Sequence, residues 1–175
     1  MRRLLLLFLM GSLLSGCAHS NNGIQGVNSG SFSGLDYSEY QRLYFSGQPE
    51  ISQFKDVKNH GIGVVVNMRD PNENPSLIAQ EAKILNELNL TYYNIPVSGS
   101  FEAKGIARLE AVLAKHHEKE KILIHCGSGQ RATAFFAIHM IQKHNKSTKE
   151  ALNLAKSLGL SSGHWEKAAK DYVDQ

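Results

Sequence analysis

The 175-residue chain has little cysteine, proline or tryptophan: two cysteines, four prolines and one tryptophan. Lysine and arginine do not cluster with aromatic residues, and the formal net charge is only +3, so no nucleic-acid groove is predicted. The histidines show no spacing typical of a metal site, and we predict neither a metal nor a cofactor. Any affinity for an anionic ligand must therefore come from a local site.

The N-terminus has the pattern of a secretory signal, because arginines at residues 2–3 precede a mostly apolar stretch over residues 4–14. That stretch is too short to span a bilayer. Residues 14–17 read Leu-Ser-Gly-Cys and resemble a bacterial lipobox. The resemblance implies a signal peptide over residues 1–16, lipidation of Cys17 and an outer-membrane lipoprotein facing the periplasm. A plain cleaved signal, or a start of translation placed too early, is the alternative.

If Cys17 carries lipid, Cys126 is the only thiol left and no intramolecular disulfide can form. Residues 17–34 are rich in serine, asparagine and glycine, so we predict a flexible tether there and a folded domain over residues 35–175. An isolated thiol in an exported protein is either buried and inert or retained for its reactivity. The residues around Cys126 distinguish the two.

Apolar periodicity alternates between strands and helices after residue 42. The predicted strands are 43–46, 62–67, 90–95 and 121–125, and the predicted helices lie near 49–60, 76–88, 102–117, 132–143, 147–158 and 164–173. This alternation predicts a three-layer α/β fold with a mostly parallel central sheet flanked by helices. Ligands bind such sheets beyond the carboxyl ends of the strands, which is where Cys126 lies. Trp165 and Tyr172 are predicted to be packing residues of the last helix.

The stretch from His125 to Arg131, HCGSGQR, combines the features of an anion site. Its glycines let backbone N–H groups turn inward, and the following helix presents its N-terminal N–H groups and positive dipole end. Arg131 can add a two-pronged contact to the anion, and the same positive field favours the thiolate form of Cys126. We therefore predict that residues 127–131 hold a phosphate above a nucleophilic Cys126.

Four motifs occur in order: SGQP over residues 46–49, VVNMR over 65–69, NIPV over 94–97, and HCGSGQR. Together they resemble the bacterial beta-lactamase-hydrolase-like phosphatase domain, a branch of the cysteine-based dual-specificity and tyrosine phosphatase fold. The resemblance covers residues 43–143. It implies hydrolysis of phosphate monoesters on a small molecule or a protein without a metal, through a phosphocysteine intermediate. It also gives His125 an orienting role.

The sequence departs from ordinary tyrosine phosphatases at three points. Four residues separate Cys126 from Arg131, where those enzymes have five; Gly127, Ser128, Gly129 and Gln130 are the four predicted phosphate-binding residues. Ala132 follows the arginine where those enzymes usually carry serine or threonine. No aspartate occurs between Asp70 and Asp171, so the usual general acid is missing.

Three carboxylates at two places in the sequence are candidates for the missing general acid. Glu102 follows the NIPV strand and is the nearest positional substitute, and it is equally typical of the first turn of a helix. Asp70 and Glu73 lie in the loop after the VVNMR strand, where they can also serve as turn residues. Arg69 either supports the loop, contacts the anion or forms a surface ion pair.

Three functions fit these residues. The first is a lipid-anchored cysteine-dependent phosphatase with Cys126 as nucleophile, Arg131 as phosphate clamp and Glu102 or Asp70 as acid. The second is sulfur transfer through a Cys126 persulfide, because rhodanese-type sulfurtransferases also place four residues between cysteine and arginine. The third is an anion-binding module without turnover, favoured by Ala132 and the missing aspartate. We rank the phosphatase first, because the upstream motifs agree with that fold.

Overall fold

The computed structural model describes residues 25–175. Its strands are β1 Val27–Phe32, β2 Leu35–Tyr40, β3 Leu43–Ser46, β4 Ile62–Asn67, β5 Thr91–Asn94 and β6 Lys121–His125. A 3₁₀ helix, Ile51–Gln53, precedes the helices α1 Phe54–Asn59, α2 Pro75–Glu87, α3 Ala103–His116, α4 Gln130–His144, α5 Thr148–Ser157 and α6 Gly163–Val173. Among these residues, no helix is long and apolar enough to cross a membrane.

The six strands form one sheet in the order β1-β2-β3-β6-β4-β5. Strands β3, β6, β4 and β5 are parallel, whereas β1 and β2 form an antiparallel hairpin added to the β3 edge. The predicted α/β fold with a mostly parallel sheet is therefore confirmed. The parallel strands end at one edge, and the loops after β3, β4, β5 and β6 meet there.

Two hydrophobic clusters lie on opposite faces of the sheet. The larger one contains Ile122, Ile124 and Cys126 and packs beneath α3, α4, α5 and α6. The smaller one contains Leu123 together with residues of α1 and α2. Because side chains alternate along a strand, His125 points to the α2 face and Cys126 to the α4 face.

Strand β1 corrects part of the tether predicted for residues 17–34. Val27–Phe32 pairs with β2 through a turn in which Ser33 and Gly34 both have positive φ, the conformation that tight hairpins favour. Phe32 is fully buried and stacks on Tyr37 with ring centroids 4.2 Å apart. One buried aromatic residue and backbone pairing thus order a segment whose composition is polar. Residues 17–24 of the predicted tether, the signal segment and Cys17 lie outside the described residues.

The helix predictions after Ser147 and near residue 164 are confirmed. The Ser147 hydroxyl accepts a hydrogen bond from the Glu150 N–H, and the Glu150 carboxylate accepts one from the Ser147 N–H, which completes the predicted capping box. Ser162 caps α6 by accepting from the Trp165 N–H. The α5–α6 loop consequently brings the first turn of α6 towards the same sheet edge as Cys126.

Candidate active site

Cys126 follows directly after β6, as predicted, and its side chain is 1% exposed. The chain turns at Gly129, which has a φ of 80° and precedes the first residue of α4. A Cβ atom at Gly129 would lie 3.2 Å from the Ser46 carbonyl oxygen, so glycine allows this loop to approach the end of β3. The Gln48 N–H donates to the Gly127 carbonyl at 3.2 Å. The SGQP segment therefore supports the loop after β6 by backbone contact.

The loop has the free N–H groups that an anion site requires. Within residues 25–175, no acceptor takes the backbone N–H of any of residues 127–131. These groups lie at the N-terminus of α4, a helix of 15 residues. Helix N-termini with unpaired N–H groups favour negative charge. The unpaired N–H groups of this loop therefore favour an anion, and phosphate binding by Gly127, Ser128, Gly129 and Gln130 stays a prediction.

Arg131 lies in the first turn of α4 and is held in place by Glu73. Its Nη2 donates to Glu73 Oε2 at 2.8 Å, and its Nη1 donates to Glu73 Oε1 and to the Val97 carbonyl, the latter at 3.0 Å. Nη1 also donates to the Met68 carbonyl at 3.2 Å. Glu73 thus occupies the end-on edge of the guanidinium. The other edge, Nε and the outer hydrogen of Nη2, makes no hydrogen bond to an oxygen or nitrogen acceptor among the described residues, and the Cys126 side chain lies beside the guanidinium.

The Arg131 guanidinium lies beside the loop, because its Nη2 is 3.9 Å from where a Cβ atom of Gly127 would be. Burial alone would lower the pKa of Arg131, but Glu73 and the adjacent Cys126 side chain raise it. The pKa of Glu73 falls to about 2, chiefly because Arg131 donates to its carboxylate. Both groups stay charged at neutral pH. An anion in the loop can therefore receive two parallel hydrogen bonds from Arg131.

A second polar network extends from Glu73 to His125. Arg69 donates through Nε to Glu73 at 3.1 Å and through Nη1 to the Gln48 side chain at 3.0 Å. Gln48 donates to Glu81 Oε2 at 2.8 Å, and His125 Nε2 lies 3.0 Å from Glu81 Oε1. Arg69 therefore supports the site through Gln48 and Glu73.

Glu81 and His125 are both fully buried. Burial alone would raise the pKa of Glu81, but the hydrogen bonds from His125 and Gln48 lower it overall. Asn67 Nδ2 adds a third contact, at 3.0 Å. His125 Nδ1 has no partner in the part of the chain that the structure describes. The predicted orienting residue is thus itself fixed by a buried carboxylate of α2.

A cleft of about 420 Å³ opens above the loop. Its lining residues are Asp70, Glu73, Val97, Ser98, Gly99, Gly127, Ser128, Arg131 and Trp165. Asp70 accepts hydrogen bonds from the Asn72 N–H at 2.8 Å and the Ser98 hydroxyl at 2.7 Å. These two contacts, the Asn72 N–H first, lower the pKa of Asp70. The two carboxylates in the cleft, Asp70 and Glu73, are therefore both ionised.

Glu102 does not join this cleft. It is the exposed N-cap of α3 and borders a separate depression with Lys104 and Arg108. Of the three candidate acids, the structure thus places Asp70 and Glu73 in the cleft above the loop and Glu102 outside it. A general acid must carry a proton, and the lowered pKa of Asp70 opposes that role in the ligand-free protein.

The side chain of Gln130 differs from its predicted role in phosphate binding. The Gln130 side chain is turned away from the cleft, donating to the Gly159 carbonyl and accepting from the N–H groups of Ser161 and Ser162. Only its backbone is available to an anion. The Thr133 hydroxyl donates to the Gly129 carbonyl at 3.1 Å, so it is bound to its own helix. Ala132 beside it is fully buried.

Glu81 and the clamping role of Glu73 were not predicted from the sequence. Glu81 lies on a helix between two motifs, and its acidic type at a buried position is the only signal it gives. Glu73 was predicted as a possible acid because of its loop, and the structure gives it a different contact. Within residues 25–175, no three His, Cys, Asp or Glu side chains are grouped to hold a metal ion.

Comparison with known proteins confirms the resemblance that the four motifs suggest. No family model matches the chain. Two curated relatives, both named beta-lactamase hydrolase-like protein and both from Xylella fastidiosa, are 29% identical over 101 residues, which is 56% of this chain and 23% of theirs. The matched region thus spans about a quarter of the length of these relatives.

Solved structures share the fold at low identity. A DUF442 protein of Shewanella putrefaciens has a TM-score of 0.63 at 20% identity, covering 85% of this chain and 89% of its own. TpbA of P. aeruginosa has a TM-score of 0.66 at 15% identity, covering 86% and 90%. Kinase-associated phosphatase has a TM-score of 0.67 at 14% identity, covering 85% and 93%. A cysteine-to-serine variant of TpbA was solved in complex with phosphotyrosine.

The fold and the loop after β6 define the class: the chain has the α/β fold of the tyrosine and dual-specificity phosphatases. Its structural relatives are phosphatases of the cysteine-based type. In sequence, the chain is similar to two beta-lactamase hydrolase-like proteins.

Proposed function

We propose that this protein is a cysteine-dependent phosphatase that hydrolyses phosphate monoesters. The observation that carries the proposal is the unpaired set of loop N–H groups beside the Arg131 guanidinium. A phosphoryl group has three non-bridging oxygens, and this arrangement offers donors to all of them. Cys126 begins the same loop.

The reaction proceeds in two displacements. Cys126 Sγ attacks phosphorus in line, the phosphorus–oxygen bond to the leaving group breaks, and a phosphocysteine forms. The leaving oxygen departs with the bonding electron pair and takes a proton from an acid or from water. Water then attacks phosphorus, and inorganic phosphate and the thiolate are released. Arg131 and the loop N–H groups stabilise the equatorial oxygens in both steps.

The cleft favours substrates with good leaving groups. Both of its carboxylates, Asp70 and Glu73, have lowered pKa values, so neither is ready to protonate a leaving oxygen. A phenolate needs less protonation than an alkoxide, because phenols have pKa values near 10. We therefore expect aryl phosphates to be hydrolysed and simple alkyl phosphates to react slowly. The physiological substrate is a phosphorylated small molecule or protein.

The test is hydrolysis of para-nitrophenyl phosphate by the full chain, reduced, at mildly acidic to neutral pH. Cys126→Ser is expected to abolish turnover. Arg131→Lys keeps the charge but loses the planar two-pronged contact, so we expect a fall of at least 100-fold in kcat/KM. Arg108→Lys, at the separate depression, is the matched control and should retain wild-type activity. Turnover that survives Cys126→Ser would refute the proposal.

One observation favours a second function, sulfur transfer: only four residues separate Cys126 from Arg131. In that reaction the Cys126 thiolate would attack the outer sulfur of thiosulfate, forming a persulfide and releasing sulfite. Mass spectrometry of the thiosulfate-treated chain would then show one added sulfur on Cys126. An unchanged mass, together with phosphatase turnover, would leave the phosphatase proposal as the surviving one.

We also propose that the chain is an exported lipoprotein, anchored through Cys17 in the outer membrane and facing the periplasm. The support is the leader pattern of residues 1–16 followed by the Leu-Ser-Gly-Cys motif. Acyl chains give membrane attachment without a spanning helix. The phosphatase would then act on substrates in the cell envelope.

A further inference from the structure

Trp165, the single tryptophan of the chain, lies at the cleft, although the sequence predicts only a packing role for it. It belongs to the first turn of α6 and is half-buried. The Arg131 guanidinium carbon lies 5.8 Å from the centre of its ring. The indole therefore borders the space above the loop of residues 127–131, which we call the anion loop.

Contacts of the ring and of the segment that carries it fix the position of Trp165. Phe101 packs against it edge to face, with centroids 5.7 Å apart. Ser162 caps the helix turn from which it extends. The Gln130 side chain, within the anion loop, accepts from the N–H groups of Ser161 and Ser162 at 2.8 Å each. The anion loop and the segment that carries Trp165 are thus joined directly, so the indole has a defined place relative to a bound anion.

The chemistry of the cleft walls points to one role for this ring. Most of the wall is backbone or carries polar and charged side chains, including Asp70, Glu73 and Ser98. Trp165 is the only aromatic residue among the lining residues, and Val97, which is 96% buried, offers little surface. A leaving group that extends from the phosphate into the cleft meets the indole, which is the one broad apolar side chain among the lining residues. Flat rings stack on such a face, whereas alkyl chains of serine size cover little of it.

We propose that Trp165 contacts the leaving group of the substrate and selects aromatic over small alkyl phosphate esters. The inference rests on the proposed phosphatase function and assigns specificity within the same site. Arg131 already has its orientation fixed by Glu73 and two carbonyls, so the indole is not needed to hold the guanidinium. The residue therefore acts on the ester group beyond the phosphate.

The test separates contact with the phosphate from contact with the leaving group. For the full chain, KM for para-nitrophenyl phosphate is measured beside the inhibition constant for inorganic phosphate, which has no leaving group. Trp165→Leu is expected to raise KM about 2- to 12-fold, the range of an aromatic pair contact. It should change the phosphate inhibition constant less than twofold. Trp165→Phe, which restores a flat ring, should recover most of the loss.

A parallel rise of KM and of the phosphate inhibition constant would overturn the inference, because Trp165 would then act through Arg131. An unchanged KM would also overturn it. If the wild type shows no turnover, the proposed function fails, and the inference is tested by binding alone. Phenyl phosphate and inorganic phosphate are then titrated calorimetrically into the wild type and into Trp165→Leu. The wild type should bind phenyl phosphate more tightly than inorganic phosphate, and Trp165→Leu should lose that difference in affinity. Equal affinities of the wild type for both ligands would refute it.

Discussion

Replacing Glu73 by glutamine tests whether the Glu73 carboxylate holds the Arg131 guanidinium in position. Glu73 holds the end-on edge of the guanidinium, with Nη2 and Oε2 2.8 Å apart, and Arg131 is 89% buried in its side chain. The amide of Glu73→Gln keeps one acceptor but places an NH₂ group against a donor. We therefore expect the variant to fold, to be less stable than the wild type, and to orient Arg131 poorly.

The pKa of Glu73 gives the size of the effect. Its fall from 4.5 to about 2 corresponds to about 3 kcal/mol in favour of the ionised form. The Glu73 side chain is 32% exposed, and solvent screening reduces that figure, so we expect a loss of about 1–2 kcal/mol in the free energy of unfolding at pH 7. Because the folded-state pKa is the lower one, this stabilisation is complete above pH 4.5. It is lost as the pH falls towards 2.

Urea unfolding of wild type and Glu73→Gln at pH 7 and pH 3.5 is the assay. The difference in the free energy of unfolding between wild type and Glu73→Gln should be largest at pH 7 and smaller at pH 3.5. Glu87→Gln is the matched control, because the Glu87 side chain is 55% exposed and lies 3.9 Å from Lys83 Nζ. We expect it to lower the free energy of unfolding by less than about 0.5 kcal/mol. If Glu73→Gln lowers the free energy of unfolding equally at both pH values, or only as much as Glu87→Gln does, the proposed role of Glu73 in holding Arg131 is refuted.

Three further predictions concern the buried Glu81–His125 pair, the candidate general acids and the lipid anchor. Glu81→Gln should destabilise the protein by about 3 kcal/mol in urea unfolding, since it leaves His125 without its buried charged partner; a loss below 1 kcal/mol would contradict the buried pair. Asp70→Asn should lower kcat for para-nitrophenyl phosphate less than threefold, and Glu102→Gln should leave it unchanged; a loss of 100-fold in either would identify a general acid. Cys17→Ser should move the chain from the membrane to the soluble fraction of cells; an unchanged distribution would contradict lipidation.

The central strands and helices could be predicted because their sequence signals are local and strong. Val64, Val65 and Val66 form a continuous apolar run that is typical of a strand buried on both faces, and all three are at most 1% exposed. The Ser147–Glu150 capping box fixed the start of α5 in the same way. Strand β1 gave no such signal, because its order depends on pairing with β2 and on Phe32.

The loop from Cys126 to Arg131 could also be predicted, because a strand, two glycines and a helix follow one another along the chain. The groups that support it come from distant segments. Glu73 and Glu81 reach Arg131 and His125 across 58 and 44 residues of sequence. Trp165 reaches the cleft only because the α5–α6 loop docks on Gln130. Such contacts depend on the packing of helices and leave no periodic pattern in the sequence.

The central claim is that Cys126 carries the phosphoryl group during turnover. The most direct measurement is rapid quenching of the full chain with para-nitrophenyl phosphate, followed by mass spectrometry of its proteolytic fragments. The account predicts one phosphoryl group on the fragment that contains Cys126, and none in Cys126→Ser. Release of para-nitrophenolate without a phosphorylated Cys126, or a phosphoryl group on another residue, would contradict it.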